Sequence, residues 1–368
     1  MKLAMTLMVR DEADIIQAML DHHLACGVDI IIVTDNGSVD GTAEILSDYA
    51  ARGLIDLRHD PEHRKQQGVT VTQMARDAAT IHGADWVINA DADEFWVPVD
   101  DNLTLHSVFE QLDTGMQAFT VEVLDMTGPP AERGSGLQRL VYRDQRSVAS
   151  MNEIALLAHA TADAVHVADP EIIVHQGNHF VSLESKGSPP PELALEVLHF
   201  PWRSWSQYRR KVENAGRSYL NASGLKPSPN HHGMRDYKRL LDNTLLPSYI
   251  VRHPSQEAIR HGLETGEFVL EQRIAASMPS PVVDELFDET QENRERALGT
   301  VISTLEFRVR TTEDTLKEET ARLETRLATC ANEVKRLRTE NAALRDRRVV
   351  RFADAVSRRM HREKPPTG

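Results

Sequence analysis

The stretch WVINADADEFWVP, residues 86–98, decides how this chain folds. A continuous apolar run, Trp86-Val87-Ile88, ends in the acidic group at residues 91–94, and aromatic residues then resume at once. An apolar run without alternation is typical of a strand that is covered on both faces of a parallel sheet. Ligands bind beyond the carboxyl ends of such strands, so we expect the acidic group to line a binding crevice.

The first hundred residues repeat this alternation of buried strand and amphipathic helix. Apolar strands are predicted at residues 3–9, 30–33, 54–57 and 84–90. Helices are predicted at 42–52 and 69–82, and another is predicted between Asp11, as its N-cap, and Gly27, as its end. The order indicates an α/β fold, a mostly parallel sheet with helices on both faces. Polar clusters follow three of the strands, at residues 10–12, 35–40 and 91–94.

Composition limits the class of protein. The chain has 368 residues, 40% hydrophobic and 27% charged, which is typical of a globular protein. The net charge of −14 argues against a nucleic-acid partner. Two cysteines, Cys26 and Cys330, exclude a disulfide framework and favour a reducing cytoplasm. The first residues, MKLAMTLMVRDE, indicate a strand rather than a signal peptide, and no apolar run approaches the ~20 residues of a membrane span.

The acidic group indicates a metal site. Asp91 and Asp93 would repel each other beyond a strand end, and a divalent cation is the simplest way to neutralise them. Mg²⁺ takes one or two protein carboxylates and fills its other positions with water and phosphate oxygens. We therefore predict that Mg²⁺ or Mn²⁺ binds here and bridges to a diphosphate. The alternative is that residues 91–94 form only an acidic turn in solvent.

A second turn strengthens this hypothesis. VTDNGSVDGT follows the second strand and places Asp35, Asn36 and Asp40 beside the same crevice. The chain lacks both the glycine-rich phosphate loop of P-loop proteins and the dinucleotide fingerprint of Rossmann dehydrogenases.

Three motifs in order, VRDEADII, DNGSVDGT and DWVINADADEF, resemble family-2 glycosyltransferases of the GT-A fold, in particular the subgroup whose strand ends in D-x-D-E-F. The resemblance is good over residues 1–100. It extends to about 220 through GNHF and LHFPWRSWSQYRRKV and does not cover 282–368. Many relatives carry a second Asp where this chain has Asn36, which affects the choice of nucleotide base.

The resemblance implies a nucleotide-sugar donor and assigns roles to individual residues. The residues expected at the donor are Thr6, Met8, Arg10, Glu12, Asp35, Asn36, Asp40, Arg76, Asp91 and Arg203. Asp91 and Asp93 would hold the metal, with Asp93 the more direct ligand and His199 joining from the second half. Further cations are either phosphate contacts or surface charges: His63, Arg64, Lys65, Arg209, Arg210 and Lys211.

Inversion at the anomeric carbon needs a base that takes the proton of the acceptor hydroxyl. The candidates are Glu153, His179 and Glu184 in the second half of the domain, and Glu94 beside the metal, whose alternative role is to orient the site. No spacing rule chooses among them. Rival hypotheses are a HAD-like metal phosphohydrolase, a nucleotidyltransferase, although its glycine-rich loop is absent, and a non-catalytic glycosyltransferase-like scaffold that a coiled coil oligomerises.

The last third of the chain has a different pattern. Residues seven apart are apolar over many turns: Ile302, Val309, Leu316, Leu323, Cys330, Leu337 and Leu344. This heptad predicts a coiled coil and a homodimer through 302–344, the alternative being one amphipathic helix packed on the domain. The predicted domains are a GT-A domain at 1–225 (donor half 1–100, acceptor half 101–225), a helical cap at 226–281, a coiled coil at 282–345 and a basic amphipathic tail at 346–368.

The tail combines an apolar face with many arginines. Val349, Phe352, Ala353, Val356 and Met360 share one helical face. Residues 345–364 are predicted to contact an anionic membrane surface or an acidic partner, or to be a solvated end. The sequence thus predicts a cytoplasmic glycosyltransferase, peripheral on the inner membrane face, that acts on a glycan or glycolipid acceptor.

Overall fold

A computed structural model describes residues 1–61, 67–154, 156, 158–221 and 232–362 of the chain. It divides into two compact units, Met1–Thr304 and Leu305–Gly368. The first unit contains the sheet and the polar clusters, and the second is helical throughout its described residues.

The core of the first unit is the parallel sheet expected from the apolar runs. Its strands are β1 (Leu3–Val9), β2 (Ile30–Asp35), β3 (Asp56–His59) and β4 (Trp86–Ala90), in the order β4-β1-β2-β3. The helices between them are α1 (Ile16–Ala25), α2 (Thr42–Ala51) and α3 (Gln67–Thr80). The prediction for this region is confirmed, with β3 and α3 shifted by two residues.

Both faces of this sheet are covered, which explains why its strands are apolar at almost every position. Leu3, Met5 and Leu7 of β1 pack in one cluster with residues of α1 and α2. Ala4, the neighbour of opposite orientation, packs in a second cluster with α3. A strand with two dry faces has no position that favours a polar side chain.

The first helix starts differently from the prediction. Ile15 is its N-cap and makes no side-chain capping bond. Asp11 has a backbone φ of 58° and turns its carboxylate to the loop after β2, where it accepts a hydrogen bond from the Val39 amide at 2.8 Å. Asp11 therefore joins two loops instead of capping a helix.

The second half of the sheet is largely antiparallel. Its strands are β5 (Glu94–Pro98), β6 (Ala118–Thr127), β7 (Ala131–Arg133), β8 (Tyr142–Asp144), β9 (Asp163–Val167) and β10 (Leu195–His199). β9 lies antiparallel between β4 and β6, and β10 lies between β5 and β6. The register sets His199 opposite both Glu94 and Asp125, so pairing brings the acidic turn and the end of β10 together.

Two short helices, α4 (Leu105–Gln111) and α5 (Val148–Glu153), connect these strands. Further helices follow at α6 (Trp205–Asn221), α7 (His232–Leu241), α8 (Leu245–Arg252), α9 (Gln256–Thr265) and α10 (Arg273–Ser277). Two more strands, β11 (Phe268–Leu270) and β12 (Glu285–Leu286), pair with β8 and β7.

The long helix α11 (Glu289–Asp346) begins within the first unit. There Arg296 donates to the carbonyl of His253 at 2.7 Å, and Ser303 is buried. Gly299 allows α8 to approach closely, because a Cβ at this position would lie only 2.3 Å from the Pro247 carbonyl oxygen.

The second unit contains the rest of α11 and a final helix, α12 (Arg348–Arg362). Its heptad residues are exposed: Val309, Leu316, Leu323, Leu327, Val334, Leu337 and Leu344 each leave between 48% and 71% of their surface in solvent. The helix predicted from the heptad is thus present. Among the described residues, no helix is both long and apolar enough to cross a membrane.

Candidate active site

The three polar clusters meet at the carboxyl edge of the parallel strands, and helix α6 crosses them. Asn214 donates to Asp11 at 2.6 Å, after β1. Arg210 reaches Asp40, after β2, at 2.8 Å. Lys211, between them in sequence, reaches Asp93, after β4, at 2.6 Å, so one helix contacts all three strand ends.

The turn after β2 is held by its own side chains. Asp35 is buried and accepts from the Ser38 amide at 3.1 Å, and Asp40 accepts from the Thr42 hydroxyl at 2.6 Å. Asn36 donates to the Asp60 carbonyl at 3.0 Å, while its own carbonyl accepts from Arg10. The predicted donor residues of this loop and of the end of β1 therefore do lie together.

Two other predicted donor residues on β1 are placed among core atoms. Thr6 is fully buried and donates its hydroxyl to Asn89 at 2.7 Å. Met8 packs against the cluster under α3.

Arg76 lies on α3 and donates to the Ile172 carbonyl at 2.8 Å, so it joins α3 to the loop that follows β9. Arg209 pairs with Glu213 at 3.3 Å on the exposed side of α6. His63, Arg64 and Lys65 lie outside the described residues.

The acidic turn itself separates its two aspartates. Asp91 is held by amides: its Oδ1 accepts from Gln67 at 2.9 Å and from Asn178 at 3.1 Å. Asp93 is held by cations: its Oδ2 lies 2.6 Å from Lys211 Nζ and 3.4 Å from Arg203 Nη1. The two carboxylates predicted to act as a pair thus have different surroundings.

The charge in this crevice is not balanced. Burial and the carboxylates of Asp163 and Asp91 raise the pKa of Glu94 well above its usual value. Burial, helped by Asp93, raises the pKa of Asp91 to about 6. Burial also raises the pKa of Glu12 to about 7, although Arg203 and Lys211 oppose this rise. The charge of these carboxylates is only partly offset by neighbouring cations, and a further cation would stabilise their ionised forms.

Asp93 is the exception among these acids. Burial again opposes ionisation, but Lys211, His199 and Arg203 together lower the pKa of Asp93 below its usual value. Its carboxylate is thus available as an anionic ligand at any ordinary pH.

His199 is arranged as metal-binding histidines are. Its Nδ1 donates to Asp125 Oδ1 at 2.8 Å, and its Nε2 faces Asp93 Oδ2 at 3.8 Å. A carboxylate behind a histidine fixes the ring and makes its other nitrogen a better ligand. Asp93 and His199 fit a divalent cation that takes two protein ligands. No group of three His, Cys, Asp or Glu side chains in the described part of the chain is set to hold a metal alone.

Arg203, predicted at the donor, is fully buried and committed to carboxylates. Its Nε donates to Asp14 at 2.8 Å, and its guanidinium also bonds Glu12. It lies 3.4 Å from Asp93, so it fixes the acidic turn relative to the end of β1.

The four candidates for the base differ in their surroundings. Glu153 and Glu184 are exposed, and Glu94 is buried with its carboxylate accepting from the Asp91 amide at 2.8 Å. His179 is half-buried, and its Nδ1 donates to Asp163 at 2.9 Å. The bond to Asp163 raises the pKa of His179 above its usual value, and the charge of Asp91 adds to this effect.

Several residues that build the site were missing from the sequence-based prediction: Asp14, Gln67, Asp125, Asp163 and Asn178. Asp163 is the one acid of β9, and its place beside an apolar run was an available signal. Asp125 shares β6 with Glu122, so the strand pattern did not single it out. The amide donors to Asp91 are Gln67, at the start of α3, and Asn178, in the GNHF stretch, and nothing in their local sequence indicates a contact with Asp91.

The sequence of residues 5–187 matches the model of glycosyltransferase family 92. This region is a glycosyltransferase domain. The resemblance noted from the motifs was to family 2, so the match confirms the class of enzyme, and the D-x-D-E-F subgroup remains a prediction. The match, the parallel half of the sheet and the acidic turn after β4 together confirm the expected α/β fold of the GT-A type. The expected C-terminal helical extension is also present.

No curated protein sequence matches the chain significantly. Solved structures similar to this chain include S. aureus TarS 1–349, at 12% identity over 72% of this chain and 74% of that one, with a TM-score of 0.33. Another is glucosyl-3-phosphoglycerate synthase from Mycobacterium tuberculosis with Mn²⁺, UDP and glucosyl-3-phosphoglycerate, at 15% identity over 69% and 81%, with a TM-score of 0.27. Likeness at such scores carries no weight for function.

Proposed function

We propose that this glycosyltransferase transfers a sugar from a nucleoside-diphosphate sugar to a hydroxyl of a glycan or glycolipid, with inversion and with Mg²⁺ or Mn²⁺. The observation that supports it most is the facing pair Asp93 and His199, with Asp125 behind His199 and uncompensated carboxylates around it. A bare acidic crevice would repel a diphosphate, so an anionic donor needs a cation there.

Asp93 and His199 would hold the cation, which when bound supplies positive charge to the departing diphosphate. Asp35, Asn36 and Asp40 lie at the neighbouring strand end and form the side of the crevice where a nucleoside fits. The acceptor oxygen forms a bond to the anomeric carbon while the bond from that carbon to the phosphate oxygen breaks. The electron pair leaves on the diphosphate.

The proton of the acceptor hydroxyl goes to His179 Nε2. Asp163 holds the other ring nitrogen, which orients the ring and stabilises the imidazolium that forms. Glu153 and Glu184 are exposed and have no comparable support, and Glu94 braces the acidic turn through the Asp91 amide.

In this proposal the second unit binds partners and takes no part in the transfer reaction. We propose that residues 302–344 form a coiled coil with a second copy of the chain and that 345–364 contact an anionic membrane at the cytoplasmic face. The exposed heptad leucines and the arginines of α12 support these two contacts.

A panel of nucleotide sugars tests the reaction. With Mn²⁺ present, we expect slow release of nucleoside diphosphate from one donor and faster release once an acceptor glycan is added. The anomeric configuration of the product, followed by NMR, should be opposite to that of the donor. Release of phosphate from monoesters would instead favour the phosphohydrolase, and no turnover of any donor would favour the scaffold.

A further inference from the structure

Helix α6 lies across the crevice and is joined to it by polar contacts. Arg210, Lys211 and Asn214 lie on one face of this helix and bind carboxylates from three different strand ends. One of these contacts, that of Lys211, is made to Asp93, which the proposed function assigns to the metal.

The sharpest conflict lies at one oxygen. Asp93 Oδ2 is 2.6 Å from Lys211 Nζ and 3.8 Å from His199 Nε2. A divalent cation held by Asp93 and His199 would lie close to this oxygen, and an ammonium group in contact with the same carboxylate would repel it strongly. Lys211 and the metal therefore compete for Asp93.

Lys211 is the neighbour of Asp93 that is free to move. Its side chain is 45% exposed, whereas that of Arg203 is fully buried between Asp14 and Glu12. A lysine also places its charge on a flexible four-carbon stem, which can shift by several ångströms without moving the helix.

We propose that Lys211 neutralises Asp93 until a divalent cation binds, and that it moves to the diphosphate of the donor when the cation replaces it. This inference rests on the proposed function and adds to it an exchange of ionic partners at Asp93. The cation alone must displace an ion pair. With the nucleotide present, the displaced ammonium gains a phosphate partner, so metal and nucleotide bind cooperatively.

Calorimetry of Mn²⁺ binding to the full chain, with and without UDP or GDP, tests the exchange. Without nucleotide, Lys211→Met should bind Mn²⁺ about tenfold more tightly than the unaltered chain, since no ammonium competes for Asp93. The nucleotide should then raise Mn²⁺ affinity less in this variant than in the unaltered chain. Lys211→Arg, which keeps the charge, should resemble the unaltered chain.

Arg209→Met is the matched control, because Arg209 lies on the same helix but pairs with Glu213 at the surface. It should leave Mn²⁺ binding unchanged. Equal or weaker Mn²⁺ binding by a folded Lys211→Met variant would overturn the exchange while leaving the proposed function intact. Absence of Mn²⁺ binding in the unaltered chain, with every nucleotide, would overturn both.

Discussion

Charged residues usually lie at the surface of a protein and apolar residues in its core, and the two units of this protein depart from that rule in opposite ways. The first buries carboxylates, among them Asp93 and Glu94, at the end of a parallel sheet. The second leaves a row of leucine and valine side chains in solvent along α11 and α12. Buried charge needs a counter-charge and exposed apolar surface needs a cover, so each unit indicates what kind of partner it lacks.

The two units also need partners of different kinds. A crevice of crowded carboxylates is stabilised by a small cation and, through it, by an anionic substrate. The regular apolar seam of α11 would be stabilised by another helix. The apolar face of α12, which lies beside arginines, would be stabilised by an anionic lipid surface. Changes in one unit should therefore leave the function of the other intact, and each prediction below can be checked for that independence.

The largest expected effect is at Asp93. Asp93→Asn keeps the shape of the side chain but removes the negative charge that would hold the cation, and kcat/KM should fall by about 10³-fold. Mn²⁺ binding measured by calorimetry should be lost, while the oligomeric state by sedimentation stays unchanged. Turnover comparable to that of the unaltered protein would remove the metal from the mechanism.

The next effect is at His179. His179→Ala should lower kcat by at least about 10²-fold, the usual contribution of a general base. Because Asp163 raises the pKa of His179, the neutral ring is favoured only at higher pH, and kcat/KM should rise with pH through a midpoint above 6.5. Asp163→Asn removes the cause of the raised pKa and should move this midpoint to lower pH.

Glu184→Gln is the control for the base, since Glu184 is exposed and was an equal candidate on sequence grounds. Its pH profile should match that of the unaltered protein. Were Glu184→Gln to abolish the rise with pH while His179→Ala preserved it, the assignment would be reversed.

The sequence predicted what is local and missed what is long-range. β1, β2 and β4 follow from continuous apolar runs, and the acidic turn follows from the end of one of them. The placement of β9 and β10 depends on pairing with strands tens of residues away, and no local pattern encodes such a register. The same reason explains why Asp91 was identified but Gln67 and Asn178, which donate hydrogen bonds to it, were not.

The heptad seam gives the third effect. Replacing both Leu316 and Leu323 by Asp introduces charge into the predicted interface, and each lost leucine should cost at least ~2 kcal/mol of association free energy. We expect the dimer to dissociate at micromolar concentration in sedimentation equilibrium, with transfer to a soluble acceptor unchanged. Arg322→Ser, one residue away from the seam, should leave the dimer intact, and a monomeric unaltered chain would end the coiled-coil hypothesis.

The smallest effect concerns α12. At 3.6 residues per turn, Val349, Phe352, Val356 and Met360 fall within a sector of about 80°, and Arg348, Arg351, Arg358 and Arg359 fill the adjoining sector. The apolar residues are exposed, from 36% at Val356 to 79% at Val349. Since the whole chain carries a net charge of −14, attraction to an anionic surface must come from this local cluster rather than from the protein as a whole.

Removing two of these arginines should weaken binding to vesicles that contain phosphatidylglycerol. At about 1 kcal/mol for each arginine near the surface, Arg358→Gln with Arg359→Gln should reduce partitioning by roughly 30-fold. Ser357→Gln, on the polar side of the helix, should bind as the unaltered protein does. Vesicles of neutral phosphatidylcholine should bind every variant weakly. Equal sedimentation with neutral and anionic vesicles would show that the arginines do not direct α12 to lipid, and α12 would then need a protein partner to cover its apolar face.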